Sequence, residues 1–234
     1  MNNDLIFPAP LPATLSIEGG GRLPVNRIFC VGRNYEAHAA EMGTEVDREE
    51  PFWFLKGAYA TTESGATVPY PPGTQNYHHE IELVVALNKG GFRVRAEDAN
   101  GLILGYAAGL DMTRRDLQMV ARAKGRPWDT GKNFEHSAVI GPIALAHRIG
   151  HPTTGRIVLD VNGVTKQDAD LNELAWKIPE LIAHLSTLYH LQPGDIIMTG
   201  TPAGVGAVQP GDVLQGEIAG VGKVTLTIST AEGG

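Results

Sequence analysis

The sequence predicts a β-rich α+β fold, and three observations lead to that class. Predicted strands outnumber predicted helices, turn-forming residues separate them every several positions, and the clearest amphipathic helix, over residues 178 to 189, is suited to cover one face of a sheet. With 234 residues, 42% of them hydrophobic, the chain can bury one large core. We therefore expect one main domain of residues 27 to 234, preceded by an N-terminal arm and hairpin of residues 1 to 26.

The predicted arm is distinguished by its turn-forming residues. Four prolines and the run Gly19-Gly20-Gly21 separate short apolar pieces, which is typical of an extended segment followed by a hairpin. We expect this segment to pack on the edge of the main domain.

Charge and cysteine content exclude several classes of function. A formal net charge of −7 argues against a nucleic-acid-binding protein, and the one basic cluster, between positions 114 and 126, indicates a small anionic ligand. Cys30 is the single cysteine, so there is no disulfide framework and no cysteine-based zinc site. No targeting segment or membrane-spanning run is evident. We expect a cytoplasmic protein that binds neither nucleic acid nor membrane.

The first half of the main domain is predicted to alternate strands with one short helix. A buried strand over residues 27 to 32 precedes a helix over residues 35 to 42, which Asn34 can cap and Gly43 can end. A second strand, over residues 51 to 56, ends at Lys56.

The second half is predicted to contain the remaining helices and the closing strands. Helical spacing over residues 112 to 122, with Thr113 as the cap, ends at Gly125 and Pro127, and Lys132 follows in a loop. The pair Asn162-Gly163 is typical of a hairpin turn. Further strands are predicted over residues 195 to 200, 213 to 218 and 223 to 228.

Three carboxylates need a chemical explanation. Glu80 and Glu82 open an apolar, β-branched run ending at residue 87, and the period of a strand places them on one face. Their repulsion and desolvation favour protonation, a basic partner or a bound cation. Asp111 ends a second apolar run and can complete an all-oxygen site for a hard divalent ion. On residue types alone, pairing of Glu82 with a Lys or Arg, with Glu80 solvated, is an equally good interpretation.

Other polar residues each allow two interpretations. His38 and Glu41 lie three apart on one helical face, either as a solvated pair or as a base with its orienting carboxylate. Lys132 is either an exposed or a catalytic lysine. The glycine-rich loop of residues 200 to 206 lacks the ending of a phosphate loop, although its amides and the Thr201 hydroxyl can hold a carboxylate. Of His78 and His79, at most one can join the glutamates, because neighbouring strand residues face opposite sides.

Taken together and in order, these segments resemble the fumarylacetoacetate hydrolase superfamily. The likeness extends from about residue 27 onward, and its departure is Gly57, where the family usually has proline after the lysine at position 56. The segments that carry it are residues 30 to 35 with His38 and Glu41, residues 77 to 85, residues 109 to 118 and residues 199 to 206.

The resemblance implies a mixed β-sandwich roll, a homodimer and a divalent metal, Mg²⁺ or Mn²⁺. It implies that the metal is held by Glu80, Glu82 and Asp111. It also implies that His38 and Glu41 activate water.

The function expected from the resemblance is metal-dependent hydrolysis of the carbon–carbon bond of an acylpyruvate, with fumarylpyruvate giving fumarate and pyruvate. The catalytic set is then His38, Glu41 and Lys132, and the residues expected to bind the substrate are Arg33, Arg114, Gln118 and Thr201. Alternatives on the same scaffold are oxaloacetate decarboxylation and isomerisation or decarboxylation of a hydroxymuconate-type diacid. A non-catalytic dicarboxylate-binding protein is a further alternative, but such a protein has no need of a base.

Overall fold

The computed structural model describes residues 5 to 233, so residues 1 to 4 of the predicted arm and Gly234 lie outside the described residues. Its strands, in chain order, are β1 Thr14–Ser16, β2 Arg22–Pro24, β3 Ile28–Gly32, β4 Phe52–Lys56, β5 Thr61–Glu63, β6 Ala66–Pro69, β7 Tyr77–His79, β8 Ile81–Leu87, β9 Ile103–Asp111, β10 Thr113–Arg114, β11 Ala138–Ile140, β12 Ala144–Leu145, β13 Arg156–Val161, β14 Val164–Asp170, β15 Ile196–Met198, β16 Gly206–Ala207, β17 Val213–Ile218 and β18 Gly222–Ser229. Its α-helices are α1 Glu36–Glu41, α2 Arg115–Ala123, α3 Asp129–Lys132, α4 Ala146–Ile149 and α5 Ile178–Leu188, and short 3₁₀ helices cover Ala58–Ala60, Ala96–Leu102 and Leu171–Glu173.

The largest sheet has eight strands, and its central strands are buried on both faces. Its order is β4-β3-β15-β8-β9-β11-β5, with β12 paired to β9, and parallel and antiparallel neighbours both occur. In the central strand β8, Leu83 and Val85 point into one core while Val84 and Ala86 point into another. This two-sided burial explains why β8 is a continuous apolar run rather than an alternating one.

A second sheet packs over one face of the first. It has five strands in the order β14-β13-β17-β18-β6, and Leu159, Leu214 and Leu226 from it share the core that contains Leu83. Helix α5 contributes Leu181 and other buried apolar residues to the same core. The predicted β-rich α+β class, with a mixed β-sandwich roll, is confirmed.

The hairpin β1–β2 packs on the opposite face. Leu15 is fully buried in the second core, and Ile143 N–H donates to Ser16 O at 2.9 Å. The division into an arm of residues 1 to 26 and a domain of residues 27 to 234 stays a prediction. Among residues 5 to 233, no helix is long and apolar enough to cross a membrane.

Two predicted helix caps are wrong. Asn34 makes no cap for α1, because its amide nitrogen instead donates to Thr199 O at 2.8 Å and to Trp176 O at 3.1 Å. Thr113 lies in β10, so α2 begins at Arg115, later than its spacing indicated. Both polar side chains hold the chain near the ends of β9 and β15 rather than satisfying a helix terminus.

A small third sheet brings three segments of the chain together. Strand β7 pairs with β10 on one side and with β16 on the other. The start of α2 and the loop after β15 therefore lie beside the residues that precede β8. That junction holds most of the polar residues singled out in the sequence.

Candidate active site

The three carboxylates converge in the interior, as their positions in the sequence suggest. Glu82 lies within β8, Asp111 ends the antiparallel neighbour β9, and Glu80 occupies the break between β7 and β8. Asp111 N–H donates to Glu80 O at 2.8 Å, which fixes the two chain segments beside each other. One oxygen from each carboxylate lies within 4.8 Å of the others, and none of the three residues is more than 4% exposed.

Three cations surround these acids. Lys132 Nζ donates to Glu80 Oε2 and to Asp111 Oδ2, each at 2.7 Å. Arg115 donates to the other oxygen of Glu80. Lys56 Nζ lies 2.9 Å from Asp111 Oδ1 as an ion-pair contact, but its hydrogen bonds go to backbone carbonyls. Two of the acids therefore have charged partners within the protein.

The partners divide the carboxylates into two electrostatic types. Burial alone would raise the pKa of Glu80, but the charges of Lys132 and Arg115 outweigh it and hold that pKa below its usual range. Burial, followed by the charges of Asp111 and Glu80, raises the pKa of Glu82 well above its usual range. Among the described residues Glu82 has no cationic partner, and Gly200 N–H donates to its Oε2 at 2.8 Å.

These residues fit a hard divalent cation. Asp111 Oδ1 is buried with the Lys56 ammonium 2.9 Å away, whereas Glu82 forms no ion pair in the part of the chain that the structure describes. An ion bound between the three carboxylates would supply the charged partner that Glu82 lacks. An all-carboxylate donor set favours Mg²⁺ or Mn²⁺ over softer metals.

Gly200 makes the backbone contact to Glu82 possible. Its φ of +97° lies in the left-handed region, and a Cβ there would lie 2.8 Å from the Cβ of Asn34. A side chain at this position would therefore displace the loop that follows β15 and the amide that reaches Glu82.

A histidine and a glutamate lie on α1, across the pocket from the carboxylates. His38 Nδ1 is 3.2 Å from Glu41 Oε2, and Gly204 N–H from the glycine-rich loop lies 3.2 Å from each Glu41 oxygen. Because a carboxylate only accepts, the contact assigns the proton to Nδ1 and leaves Nε2 free as a base.

An open pocket of about 480 Å³ connects these groups. Glu41 and Asp111 do not line it themselves but contact residues that do. The predicted site residues that line the pocket are Arg33, His38, Glu80, Glu82, Gln118, Lys132 and Thr201.

The structure does not bring Arg114 to this pocket. Its guanidinium lies 4.1 Å from the centroid of the Phe134 ring and lines a separate pocket with Tyr70 and Glu135. Arg115 occupies the pocket instead, bonded to Glu80 and to Gln118. The helix begins only at Arg115, so sequence spacing could not decide which of the two adjacent arginines turns inward.

Lys132 reaches the site from α3 rather than from a loop. That short helix packs closely on α2, since a Cβ at Gly131 would lie 2.8 Å from Gln118 N. The close approach places Lys132 and Gln118 on neighbouring parts of the pocket wall.

Gln167 is a buried polar residue that sequence reasoning missed. It is 1% exposed and bonds His79, the backbone of Ile81, Thr201 and Pro202. It is the one fully buried position in the otherwise polar strand β14. A glutamine in a polar strand gives no signal of burial, so only the packing of β14 beside the site reveals it.

The sequence and the fold match a known enzyme family. The family model for the fumarylacetoacetate hydrolase C-terminal domain matches residues 27–229. The chain belongs to the fumarylacetoacetate hydrolase family.

Individual relatives within that family are closely similar. A fumarylpyruvate hydrolase of Ralstonia sp. is 54% identical over 193 residues, covering 82% of this chain and all of the relative. The crystal structure of fumarylpyruvate hydrolase from Pseudomonas aeruginosa in complex with Mn²⁺ and pyruvate superposes with a TM-score of 0.94 at 46% identity, covering 97% of this chain and 100% of that one. A mitochondrial oxaloacetate tautomerase of Mus musculus is 37% identical, covering 88% of this chain and 92% of the relative.

Proposed function

We propose that this protein is a metal-dependent hydrolase that cleaves the carbon–carbon bond of an acylpyruvate, with fumarylpyruvate and water giving fumarate and pyruvate. The observation that carries the proposal is the buried carboxylate centre facing the His38–Glu41 pair across one pocket. The similarity to fumarylpyruvate hydrolases, one of them crystallised with Mn²⁺ and pyruvate, supports the same substrate class.

Glu80, Glu82 and Asp111 would hold the metal. When bound, Mg²⁺ or Mn²⁺ supplies Lewis-acid chemistry at the 2-keto acid end of the substrate. Arg115, Gln118 and Thr201 lie where they can bind the substrate's oxygen atoms. Arg115 replaces Arg114 in this role, because Arg115 is the one that lines the pocket.

His38 acts as the general base. Glu41 accepts from its Nδ1 and keeps Nε2 available to take a proton from water. The oxygen of that water forms a bond to the carbon of the distal acyl carbonyl. Glu41 also stabilises the imidazolium that results, and the Gly204 amide holds the glutamate in place.

Bond cleavage follows the addition of water. The bond between the acyl carbon and the pyruvate methylene breaks, its electron pair moves into a pyruvate enolate, and the acyl group leaves as a carboxylic acid. The Lys132 ammonium, which the acids Asp111 and Glu80 hold with a raised pKa despite its burial, neutralises the developing negative charge. A proton returned to the methylene carbon then completes pyruvate.

Oxaloacetate chemistry is the second candidate, because the tautomerases at 37% identity share the scaffold. Enolisation and decarboxylation of oxaloacetate need charge stabilisation but no attacking water. A purely binding function does not account for a base held by a carboxylate. The homodimer implied by the resemblance and a cytoplasmic location stay predictions.

The test is a substrate panel with purified protein. Fumarylpyruvate, acetylpyruvate and oxaloacetate are each supplied with Mg²⁺, with Mn²⁺ and with a chelator, and fumarate, acetate and pyruvate are quantified by chromatography. We expect metal-dependent release of fumarate and pyruvate in equal amounts. Turnover of oxaloacetate alone would contradict the hydrolase and favour the second candidate.

A further inference from the structure

Two arginines that line the pocket take no part in the mechanism above, although the resemblance implies that one of them, Arg33, binds the substrate. Arg33 follows β3 and Arg122 lies on α2, and both line the pocket that contains the carboxylates. Both are partly exposed, and both also border the open depression beside Trp128. Among residues 5 to 233, no carboxylate oxygen lies within 4.0 Å of a nitrogen of either guanidinium group.

Contacts with neighbouring residues hold both arginine side chains in place, and the backbone of Arg33 is strained. Arg33 has a φ of +60°, an unfavourable region for a residue with a side chain, and its guanidinium lies 5.6 Å from the centroid of the Phe52 ring. Arg122 donates to Met42 O at 3.2 Å, which ties α2 to the end of α1. These contacts direct two cations toward one region without neutralising them.

The two charges are close enough to affect each other. Burial lowers the pKa of Arg33, and the charge of Arg122 lowers it further. The Arg33 guanidinium nevertheless stays ionised at neutral pH, since arginine does not lose its proton in proteins. An anion between them would relieve the repulsion and complete their hydrogen bonds.

Apolar side chains line part of the pocket that contains these arginines and the carboxylate centre. Phe54 and Trp128 line it with their rings 5.8 Å apart, and Met42 and Met119 line the same pocket. A flat, unsaturated carbon chain fits such a wall, whereas a second charged group would have to lie at its outer end.

We propose that Arg33 and Arg122 form a subsite for a terminal carboxylate on the acyl group, so that the enzyme selects acylpyruvates whose acyl chain ends in an acid. This inference rests on the proposed function and deepens it. A metal held by Glu80, Glu82 and Asp111 would bind the 2-keto acid end, which every acylpyruvate shares. The arginine pair would bind the end of the acyl group, which is the part in which acylpyruvates differ.

The test compares fumarylpyruvate with acetylpyruvate, which has a methyl group in place of the unsaturated acid. Arg33→Met and Arg122→Met are each expected to lower kcat/KM for fumarylpyruvate by about 30-fold or more, as when one partner of a charge pair is removed. The same variants should change kcat/KM for acetylpyruvate less than about threefold. Lys124→Met is the matched control, because it removes an exposed charge from the same basic cluster at a position that lines neither the pocket nor the depression.

Three further measurements separate loss of the subsite from misfolding and from failure of the proposed function. Arg33→Lys and Arg122→Lys keep the charge, so they should recover part of the fumarylpyruvate activity, and thermal unfolding checks that Arg122→Met is folded. Equal losses on both substrates, or no loss on fumarylpyruvate, would overturn the subsite.

If the wild type hydrolyses neither substrate, the proposed function fails, and calorimetric binding of fumarate and of pyruvate to the Mn²⁺-loaded protein tests the subsite by itself. The arginine variants should then lose fumarate and keep pyruvate, and unchanged fumarate binding would reject the subsite.

Discussion

Gln167 Nε2 lies 2.8 Å from Thr201 Oγ1, and this contact determines which way the Thr201 hydroxyl donates. The Ile81 N–H, which can only donate, points at the other end of the Gln167 amide and identifies it as the oxygen. Gln167 therefore donates through Nε2 to Thr201 and to the carbonyl of Pro202. With a lone pair of Thr201 occupied, its hydroxyl proton is free for a substrate oxygen in the pocket.

Replacing Gln167 with glutamate should reverse that polarity. A carboxylate only accepts, so the Thr201 proton would turn toward residue 167 and away from the pocket. We expect Gln167→Glu to raise KM about tenfold, the value of one hydrogen bond to a charged group, with a smaller effect on kcat. Steady-state kinetics on an acylpyruvate measures both constants.

A double-mutant cycle separates this effect from general destabilisation. Thr201→Val removes the hydroxyl and should raise KM similarly, and adding Gln167→Glu to it should cost no further substrate affinity. Additive losses in KM would show that Gln167 does not act through Thr201.

Glu82→Gln should change stability in opposite directions with and without metal. Burial and its acidic neighbours raise the pKa of Glu82. At neutral pH this shift lowers the free energy of unfolding of the metal-free protein. The amide removes that cost, and we expect the metal-free variant to unfold at a higher temperature than the wild type. Mn²⁺ affinity, measured by calorimetry, should fall roughly 100-fold or more, so the added stability from metal disappears.

The exposed Glu49 supplies the control for that experiment, since Glu49→Gln should alter neither measurement. A Glu82→Gln protein that binds Mn²⁺ like the wild type would remove Glu82 from the metal site.

The sequence was most informative where burial dictates residue type. The apolar runs of β8 and β9 could be predicted because both faces of the sheet are covered, and the acids that interrupt them stood out for the same reason. Asn34 and Gln167 could not be assigned, because their partners lie 165 and 34 residues away in the chain, and no local pattern records such contacts. The choice between Arg114 and Arg115 depended on where α2 begins, which is the least predictable property of a helix.

Gly57 shows how the chain accommodates a departure from its family. Its φ of −69° would suit proline, yet its N–H donates to Asn133 Oδ1 at 2.7 Å, and a Cβ there would lie 2.3 Å from the Tyr59 ring. The following segment is ordered as a 3₁₀ turn and β5. Gly57→Pro should therefore destabilise the protein by about 1 kcal/mol, because it loses the hydrogen bond and displaces Tyr59. Denaturant unfolding measures the change, and a stabilised variant would contradict the importance of the Asn133 contact.

Lys132→Met should lower kcat by roughly 10²-fold with a smaller change in KM, since the ammonium acts mainly on charge that develops during bond cleavage. The variant also leaves Glu80 and Asp111 without a shared partner, so it must be assayed in saturating Mn²⁺ with bound metal confirmed. A rise in KM alone would reassign Lys132 to substrate binding.

The last prediction separates hydrolysis from decarboxylation through His38. Hydrolysis requires a nucleophile made from water, and a positioned base contributes about 10² to 10⁴-fold to such a step. Oxaloacetate decarboxylation needs only charge stabilisation as carbon dioxide leaves. His38→Ala should therefore lower acylpyruvate hydrolysis by roughly that factor while oxaloacetate decarboxylation falls much less.

Glu41→Gln should show the same pattern more mildly, because it keeps the size of the side chain and loses the charge that stabilises an imidazolium. Glu36→Gln, on the exposed side of α1, is the control for disturbance of the helix. If both reactions fall equally in a metal-loaded His38→Ala protein, His38 is not the hydrolytic base, and a proton-transfer role common to both reactions replaces it.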